Sequence, residues 1–186
     1  MEISSSGADN KRPYVKTVGH ESTCDYVVDG TADDVQIQQA IDDMIASSYD
    51  GVIELGAGNF DITAKITIPN DSIGLIGQGK DTQLIQADKD TDVLEVGDGT
   101  TYYSYNNIKH FKILGTGTSG TGKLLKLNYV KYGIFEGLSL NNAPHSALYL
   151  DNHCRYNKFI GLECDNAVQY GLYITNSTNT SNTHNT

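Results

Sequence analysis

Two successive segments of the C-terminal half follow one pattern, and this repetition decides the fold. Residues 130–152 read VKYGIFEGLSLNNAPHSALYLDN and residues 154–176 read CRYNKFIGLECDNAVQYGLYITN, with an offset of 24 residues. Like residues coincide at Tyr132/Tyr156, Phe135/Phe159, Leu138/Leu162, Leu140/Cys164, Asn142/Asn166, Ala143/Ala167, Leu148/Leu172, Tyr149/Tyr173, Leu150/Ile174 and Asn152/Asn176. A fixed period of about 20 to 50 residues indicates a solenoid.

Within each copy, apolar and polar residues alternate, as they do at residues 138–140 and 148–150. Alternation is typical of short strands that bury one face. Such strands, joined by small or Asn-rich corners, are typical of the coils of a parallel β-helix. The sequence therefore predicts an all-β fold, a right-handed, single-stranded parallel β-helix with coils of roughly 24 residues.

The N-terminal quarter departs from the repeat. Residues 1–23 are predicted to form a polar tail with a candidate edge strand, and residues 24–50 a strand followed by a helix. Thr31 and Asp34 are spaced as a capping box at the start of that helix. A single apolar stripe follows at Ile37, Ala40, Ile41, Met44 and Ile45. Because a solenoid needs a cap over its open hydrophobic end, this amphipathic helix is predicted to be the cap.

The coils are predicted to fill residues 51–175. Residues 176–186 are predicted to be a polar Asn/Thr/Ser tail or a truncated last coil, because threonines replace the core residues of the repeat there. A rung lined by threonine buries little apolar area. The open edge before it is expected to meet a partner, a further copy or more chain. Asn152 and Asn176 are expected to form an inward amide ladder at a corner.

Five segments of the N-terminal half carry a resemblance to a known family. They are residues 29–34 (DGTADD), the helix at 37–45, and residues 51–60 (GVIELGAGNF), 66–69 (ITIP) and 75–82 (LIGQGKDT). Together they resemble the opening of the pectate-lyase-like superfamily of right-handed parallel β-helix proteins. That superfamily includes polygalacturonases, pectate lyases, phage tailspikes and surface β-helix repeat proteins. The resemblance covers about residues 24–175 and implies the fold and a polysaccharide ligand.

The catalytic motifs of that superfamily do not carry over. Polygalacturonases place Asn-Thr-Asp, Asp-Asp, Gly-His-Gly and Arg-Ile-Lys on successive coils, and none occurs here at a coil position. The Asp-Asp pairs at 33–34 and 42–43 fall in the capping turn and on the cap helix. Pectate lyases use calcium-binding Asp clusters and an Arg base, but Arg12 and Arg155 lie beside no acidic cluster. If the protein is an enzyme, the resemblance implies a polysaccharide lyase or glycoside hydrolase.

Composition argues against several classes of partner. A net charge of −10 argues against nucleic acid and an anionic membrane, because both require a basic face. The sequence holds no apolar run of about 18 residues, as a membrane span would need, and no apolar segment of a signal peptide at its start.

Cys154 and Cys164 take inward positions of the repeat and are predicted to be buried thiols. No Cys/His spacing predicts zinc.

Glu163 and Asp165 are the candidate catalytic pair. They lie two residues apart on the outward face of one strand, so their Cβ atoms are expected roughly 6–7 Å apart. That distance overlaps the separation of glycosidase carboxylates. Solvation of an acidic surface is the competing interpretation, because Ser139 and Asn141 stand at the equivalent positions of the preceding coil. The residue types of this pair are compatible with a calcium ion, although no calcium-binding motif is present. No other metal or cofactor is expected.

A column of outward side chains is the candidate carbohydrate-binding site. Aligning the strands places Glu95, Lys126, Tyr149 and Tyr173 on successive rungs about 4.8 Å apart. Sugars bind such strips through their C–H faces and hydroxyl groups. The alternative is a cross-strand aromatic ladder that stabilises the sheet by about 0.2–1 kcal/mol per pair. The tyrosines of one loop are candidates of the same kind, with disorder or a different partner as the alternative: Tyr102, Tyr103 and Tyr105.

Two functional hypotheses follow from these residues. The first is an extracellular, cell-surface or virion β-helix protein that recognises, or once processed, a polysaccharide along its solenoid face. The second is a structural module of a fibre, spike or surface layer without ligand chemistry. In the second hypothesis the module forms homo-oligomers or associates end to end through its C-terminal edge.

Overall fold

The computed structural model describes residues 14–48, 50–175 and 183–186, which form a β-solenoid of about four turns. Its strands are β1 (Tyr14–Gly19), β2 (Tyr26–Val27), β3 (Gly51–Leu55), β4 (Gly58–Ile62), β5 (Ile66–Ile68), β6 (Ile73–Ile76), β7 (Thr82–Gln86), β8 (Leu94–Val96), β9 (Tyr103–Ser104), β10 (Asn107–Lys109), β11 (Lys112–Leu114), β12 (Leu125–Leu127), β13 (Val130–Lys131), β14 (Ile134–Glu136), β15 (Ser139–Asn141), β16 (Ser146–Leu150), β17 (Lys158–Ile160), β18 (Glu163–Asp165) and β19 (Tyr170–Ile174). One helix, α1 (Asp34–Ala46), precedes β3.

Three parallel sheets form the faces of the coil. Sheet A has the order β17-β14-β10-β6-β3-β1-β2, sheet B β18-β15-β11-β7-β4, and sheet C β19-β16-β12-β8-β5. A two-stranded sheet D, β13-β9, follows sheet C along the chain and precedes sheet A. The predicted parallel β-solenoid with a short N-terminal helix is confirmed, whereas the right-handed sense of the coil stays a prediction.

The strand register confirms the repeat. Phe135 pairs with Phe159, and Tyr149 pairs with Tyr173, so the last two rungs are 24 residues apart. Earlier rungs keep the columns despite longer connections: Ile108 pairs with Phe135 across 27 residues. The coil length therefore varies while the inward columns stay aligned.

The core consists of inward columns, one from each sheet. Because the strands are parallel and in register, the side chains of a column lie above one another and exclude water wherever a further rung covers them. The columns are Ile53, Leu75, Ile108, Phe135 and Phe159 in sheet A; Phe60, Leu84, Ile113, Leu140 and Cys164 in sheet B; and Ile66, Leu94, Leu125, Leu148 and Leu172 in sheet C.

The predicted burial of Cys164 is wrong. Cys154 is fully buried, and burial raises the pKa of its thiol to about 12. Cys164 is exposed although its register position is inward, because it belongs to β18, the terminal strand of sheet B. Leu172 of β19 is 53% exposed for the same reason. An inward position therefore gives burial only where another rung follows.

Helix α1 covers the N-terminal end of the solenoid, as the apolar stripe predicted. Ile37, Ile41 and Met44 are fully buried, and the helix contacts β1 and β5. Strand β1 lies between β3 and β2, so sheet A ends at β2 and β1 is not the edge strand.

The predicted capping box is not formed. Asp33 is the N-cap residue and makes no side-chain cap hydrogen bond. Its buried carboxylate instead accepts hydrogen bonds from the backbone N–H groups of Gly30 and Asp61, each at 2.9 Å. Asp34 accepts from the backbone N–H of Thr63 at 2.7 Å. Asp33 and Asp34 thus tie the helix to the first coil rather than closing the helix end.

Replacing Asp33 with alanine is expected to destabilise the protein by about 1–3 kcal/mol, because two part-buried backbone N–H groups, those of Gly30 and Asp61, lose their charged acceptor. The measurement is the free energy of unfolding in urea, followed by circular dichroism. Asp42→Ala is the matched control, since Asp42 is exposed and accepts one hydrogen bond from Gln38. Equal stabilities of the two variants would contradict the role given to Asp33.

Candidate functional site

The outward column predicted on sheet C exists. Strand pairing places Glu95 beside Lys126, Lys126 beside Tyr149, and Tyr149 beside Tyr173. Thr67 of β5 extends the column by one rung toward the helix. The column contains a charged half near the helix and an aromatic half near the last rung.

The charged half is an ion network. Glu95, whose side chain is 6% exposed, pairs with Lys65 and with Lys126, the latter at 3.0 Å. Lys126 also lies 3.9 Å from Asp151. Burial acts to raise the pKa of Glu95, but the hydrogen bonds from Lys65 and Lys126 outweigh it and hold that pKa below its usual value. Lys126 is therefore a partner of Glu95 and Asp151, which leaves its charge largely compensated.

The aromatic half contains two more rings than the sequence predicted. Tyr149 and Tyr173 stack at 5.2 Å between ring centroids, and Tyr170 lies 4.7 Å from Tyr173. His145 lies between 5.7 and 6.3 Å from all three rings. The Lys123 ammonium lies 5.3 Å from the centroid of the Tyr149 ring. This group of rings (Tyr149, Tyr170, Tyr173 and His145) is called the sheet C cluster below.

Alternation did not indicate either of the other two rings, because His145 precedes β16 and Tyr170 is in phase with the inward residues Leu172 and Ile174. Burial, and then the nearby charge of Lys123, hold the pKa of His145 below its usual value. Its Nδ1 lies 2.6 Å from the hydroxyl oxygen of Ser146, a residue that is fully buried. The 24-residue offset offered no signal here, because His145 aligns with Gln169.

The three loop tyrosines do not form one site. The Tyr103 hydroxyl donates to a carboxylate oxygen of Asp98 at 2.9 Å. Partial burial acts to raise the pKa of Asp98, but the backbone N–H groups of Thr101 and Thr100 outweigh it and lower that pKa to about 2. Tyr103 therefore anchors its own loop. Tyr102 and Tyr105 join two separate columns of rings on either side of sheet D.

One column runs through Tyr102, Tyr129 and His153. Tyr102 lies 5.4 Å from each of the other two rings, and Tyr129 lies 4.5 Å from His153. The Tyr102 hydroxyl lies 2.8 Å from His153 Nδ1. Tyr129 and His153 both have positive φ, 61° and 54°.

The other column is a stack of four rings: Tyr105, Tyr132, Tyr156 and His184. Successive centroids lie 5.6, 5.2 and 5.0 Å apart, with interplanar angles of 14°, 9° and 19°. All four residues have a left-handed backbone, with φ between 55° and 63°. Such a conformation costs a residue with a Cβ about 1–2 kcal/mol, so the corner repeats a strained turn on every rung. The coincidence of Tyr132 with Tyr156 in the repeat was the available signal.

An inward amide ladder lies beside this stack. Asn157 Nδ2 donates to the backbone carbonyl of Val130 at 2.9 Å, and its Oδ1 accepts from the N–H of Gly133. Asn185 Oδ1 accepts from the N–H of Asn157 at 3.1 Å. The ladder predicted at Asn152 and Asn176 is not tested, because Asn176 lies outside the described residues; Asn152 itself is buried.

Glu163 and Asp165 are both exposed on β18. A carboxylate oxygen of Glu163 accepts from Ser139 Oγ at 2.9 Å and lies 3.5 Å from Lys80 Nζ. The hydrogen bond from Ser139, and then the charge of Lys80, hold the pKa of Glu163 below its usual value. A general acid needs a raised pKa, so this environment favours the ionised form. Across the described ranges, no group of three or more His, Cys, Asp or Glu side chains is placed to hold a metal ion.

Chemically, these surfaces offer phenol hydroxyls, ring edges and compensated charges. Such groups bind and orient a polar ligand, whereas bond cleavage needs an acid and a base placed across one reacting bond. Glu163 and Asp165 are the residues that the sequence predicted for such a pair, and that role stays a prediction.

Comparison with known proteins gives one structural neighbour. No family model matches the chain, and no curated protein matches it. A solved structure of Geobacillus virus E2, ORF18, is similar with a TM-score of 0.62 and 26% identity, covering 72% of this chain and 27% of that one. The chain thus corresponds to about a quarter of that phage protein's length. The β-solenoid and this neighbour fit a structural β-helix protein of a virion.

The resemblance to the pectate-lyase-like superfamily is confirmed only at the level of the parallel β-solenoid. Among the described residues, no helix has the length and apolar character needed to cross a membrane.

Glu95→Gln is expected to lower the free energy of unfolding by about 1–3 kcal/mol at pH 7, because two lysines lose a charged acceptor. Since the pKa of Glu95 is depressed, its contribution is present above the unfolded value near 4.5 and is lost as pH falls through the folded pKa. The difference between wild type and variant should therefore shrink below about pH 4.5. Urea unfolding across pH 3–8 measures this.

Glu136→Gln is the matched control, because Glu136 pairs with Lys109 at 3.0 Å and its side chain is 34% exposed, against 6% for Glu95. Surface pairs are worth about 0–1 kcal/mol. A pH-independent difference for Glu95→Gln would contradict the ion network as its cause.

Proposed function

We propose that this protein is a structural β-helix component of a phage virion that recognises polysaccharide through the sheet C cluster. The observation that carries the proposal is the stack of Tyr149 and Tyr173 on the outer face of the last two rungs of sheet C, with the 43% exposed ring of Tyr170 beside it, 4.7 Å from Tyr173. Tyr149, Tyr173 and His145 are half-buried, so each tyrosine combines a packed ring with a polar end that can meet a ligand, which is typical of binding surfaces. The phage neighbour supports the virion setting.

The geometry favours a particular way of binding. Because Tyr149 and Tyr173 stack with an interplanar angle of 27°, their facing ring surfaces are covered by each other. What they present to solvent is their edges and hydroxyls, repeated about every 4.8 Å along the axis. Hydroxyl-to-hydroxyl hydrogen bonds to the sugar, rather than C–H contacts with open ring faces, are therefore the main interaction. Tyr170 at the end of the cluster provides the exposed ring.

A second candidate function is supported by the last rung. Leu172 and Ile174 are 53% and 55% exposed at the terminal strand of sheet C. Large apolar side chains grouped at a strand edge are typical of an association surface. Self-association of the chain through this rung is thus the alternative, and it is compatible with a glycan on the sheet face.

Replacing both Tyr149 and Tyr173 with phenylalanine tests the glycan proposal. A glycan array first identifies a ligand, and isothermal titration calorimetry then compares affinities. We expect the double Phe variant to lose about ten-fold or more, because the hydroxyls are removed while the stacked rings remain. The double Ala variant should lose little more than that.

Tyr14→Phe is the control, since Tyr14 is exposed at the opposite end of the solenoid. The absence of any bound glycan, or full binding by the double Phe variant, would refute glycan recognition by the sheet C cluster.

Self-association is tested by the double substitution of Leu172 and Ile174 with aspartate. We expect light scattering after size exclusion to show an oligomer for the wild type and a monomer for the variant, because the charges cannot be desolvated in an apolar contact. Val27→Asp is the control, because Val27 is 49% exposed on the edge strand at the other end. A monomeric wild type would rule out this alternative.

A further inference from the structure

His145 joins three parts of the chain at one corner of sheet C. Its backbone N–H donates to the carbonyl of Gly122 at 3.1 Å, which attaches it to the loop between β11 and β12. Its own carbonyl accepts from the N–H of Gln169 at 3.3 Å and from that of Tyr170, the first residue of β19, at 3.0 Å. His145 itself directly precedes β16. A movement of this residue therefore reaches the loop and the last rung of sheet C together.

The imidazole ring of His145 lies beside every tyrosine of the sheet C cluster. The centroid distances are 6.3 Å to Tyr149, 5.7 Å to Tyr170 and 6.0 Å to Tyr173, with interplanar angles of 63°, 53° and 90°. Its Nδ1 lies 2.6 Å from the hydroxyl oxygen of fully buried Ser146. The ring is thus held by a hydrogen bond at one nitrogen and bordered by three phenol rings.

The carboxylate that faces His145 is already paired. Asp92 accepts from the backbone N–H of Lys123 at 2.8 Å and lies 3.4 Å from its ammonium. The other titratable neighbours are the three phenols of the sheet C cluster, which are neutral at neutral pH. Burial, and then the Lys123 charge, lower the pKa of His145, and they outweigh the opposing effect of Asp92. A proton added to the ring therefore brings a second positive charge close to Lys123.

Attraction between a cation and an aromatic ring acts in the opposite direction. A cation over the face of a ring is stabilised by it, but the Lys123 ammonium already lies 5.3 Å from the centroid of the Tyr149 ring. A second cation at the same group of rings adds repulsion between the two charges. The neutral form of His145 is therefore the form that fits the sheet C cluster.

We propose that His145 is a positioning residue of the sheet C cluster that makes ligand binding there sensitive to acid. The neutral ring keeps the tyrosines, the loop and β19 in the arrangement described above. A protonated ring turns out of its half-buried site toward solvent, because water solvates its charge better than the cluster does. Tyr170 and Tyr173 then lose a neighbour. The inference rests on the proposed function for its ligand, and it adds the regulation of that site.

Two measurements test the role of His145 without a glycan. NMR follows the Cε1–H signal of its ring between pH 8 and pH 4.5, and hydrogen exchange with mass spectrometry follows residues 116–123 and 169–174. We expect the midpoint of the titration below the usual histidine value of about 6.5. On the acidic side of that midpoint, we expect faster exchange in both segments after correction for the intrinsic rate.

Three variants separate His145 from its surroundings. Lys123→Gln removes the neighbouring charge and leaves Asp92 to face the ring, so it should move the His145 midpoint to higher pH. His145→Gln keeps a polar side chain that gains no proton in this range, so it should abolish the acid-dependent rise in exchange. His110→Gln is the control, because His110 is exposed between β10 and β11, and it should leave both results unchanged.

Binding is then compared at pH 7.5 and pH 5 by calorimetry, with the glycan of the array that binds most tightly at pH 7.5. We expect the affinity of the wild type to fall about three-fold or more at pH 5, because only the fraction with a neutral His145 is competent to bind. His145→Gln should bind equally at the two pH values, and His110→Gln should follow the wild type.

Several outcomes would overturn the inference. They are a midpoint at or above about 6.5, exchange that does not rise with acid, an unchanged midpoint in Lys123→Gln, and equal affinity of the wild type at the two pH values. If no glycan binds at any pH, the proposed function fails, and the titration and exchange results decide the role of His145. If glycan binds equally at both pH values, the proposed function stands and the role of His145 is refuted.

Discussion

The structure depends on one constraint, which is the in-register stacking of parallel rungs. Each side chain has a neighbour of the same column about 4.8 Å above or below it. Inward columns therefore collect apolar residues, and outward columns bring together like groups from distant parts of the chain. The same geometry that builds the core from Ile53 to Phe159 also aligns Tyr149 with Tyr173 and Lys131 with Arg155. The register of the parallel strands thus determines both the packing of the core and the grouping of side chains on the surface.

Predictions from the sequence were correct for the repeated coils, and the predicted burial was wrong at the last rung. Alternation and the 24-residue offset were sufficient for the solenoid and for the pairing of Tyr149 with Tyr173, and the apolar stripe at helical spacing was sufficient for the N-terminal helix. Cys164 was assigned to the core because its own copy resembles the one before it, but burial also requires a rung on the far side. The use of Asp33 and Asp34 was missed because their partners, Asp61 and Thr63, are brought beside them only by the fold.

The candidate site was predictable only in part, for a related reason. Tyr149 and Tyr173 lie within strands, where the face of each residue follows from alternation. Tyr105, Tyr132, Tyr156 and His184 lie at a corner, where φ is positive and alternation gives no direction. The orientation of the rings could not be predicted from the sequence either. A column of tyrosines indicates that the rings contact one another, but it does not indicate whether their faces or their edges meet solvent.

The corner beside sheet D has a consequence for how such a chain changes over evolutionary time. Tyr105, Tyr132, Tyr156 and His184 remain stacked although 27, 24 and 28 residues separate them. Added length is taken up elsewhere in the coil, such as residues 115–124 between β11 and β12, while each return to the corner restores the alignment. Loops can therefore lengthen, shorten or be exchanged without moving the outward columns. In a fold of this kind, the stacked strands can be kept while the loops between them vary.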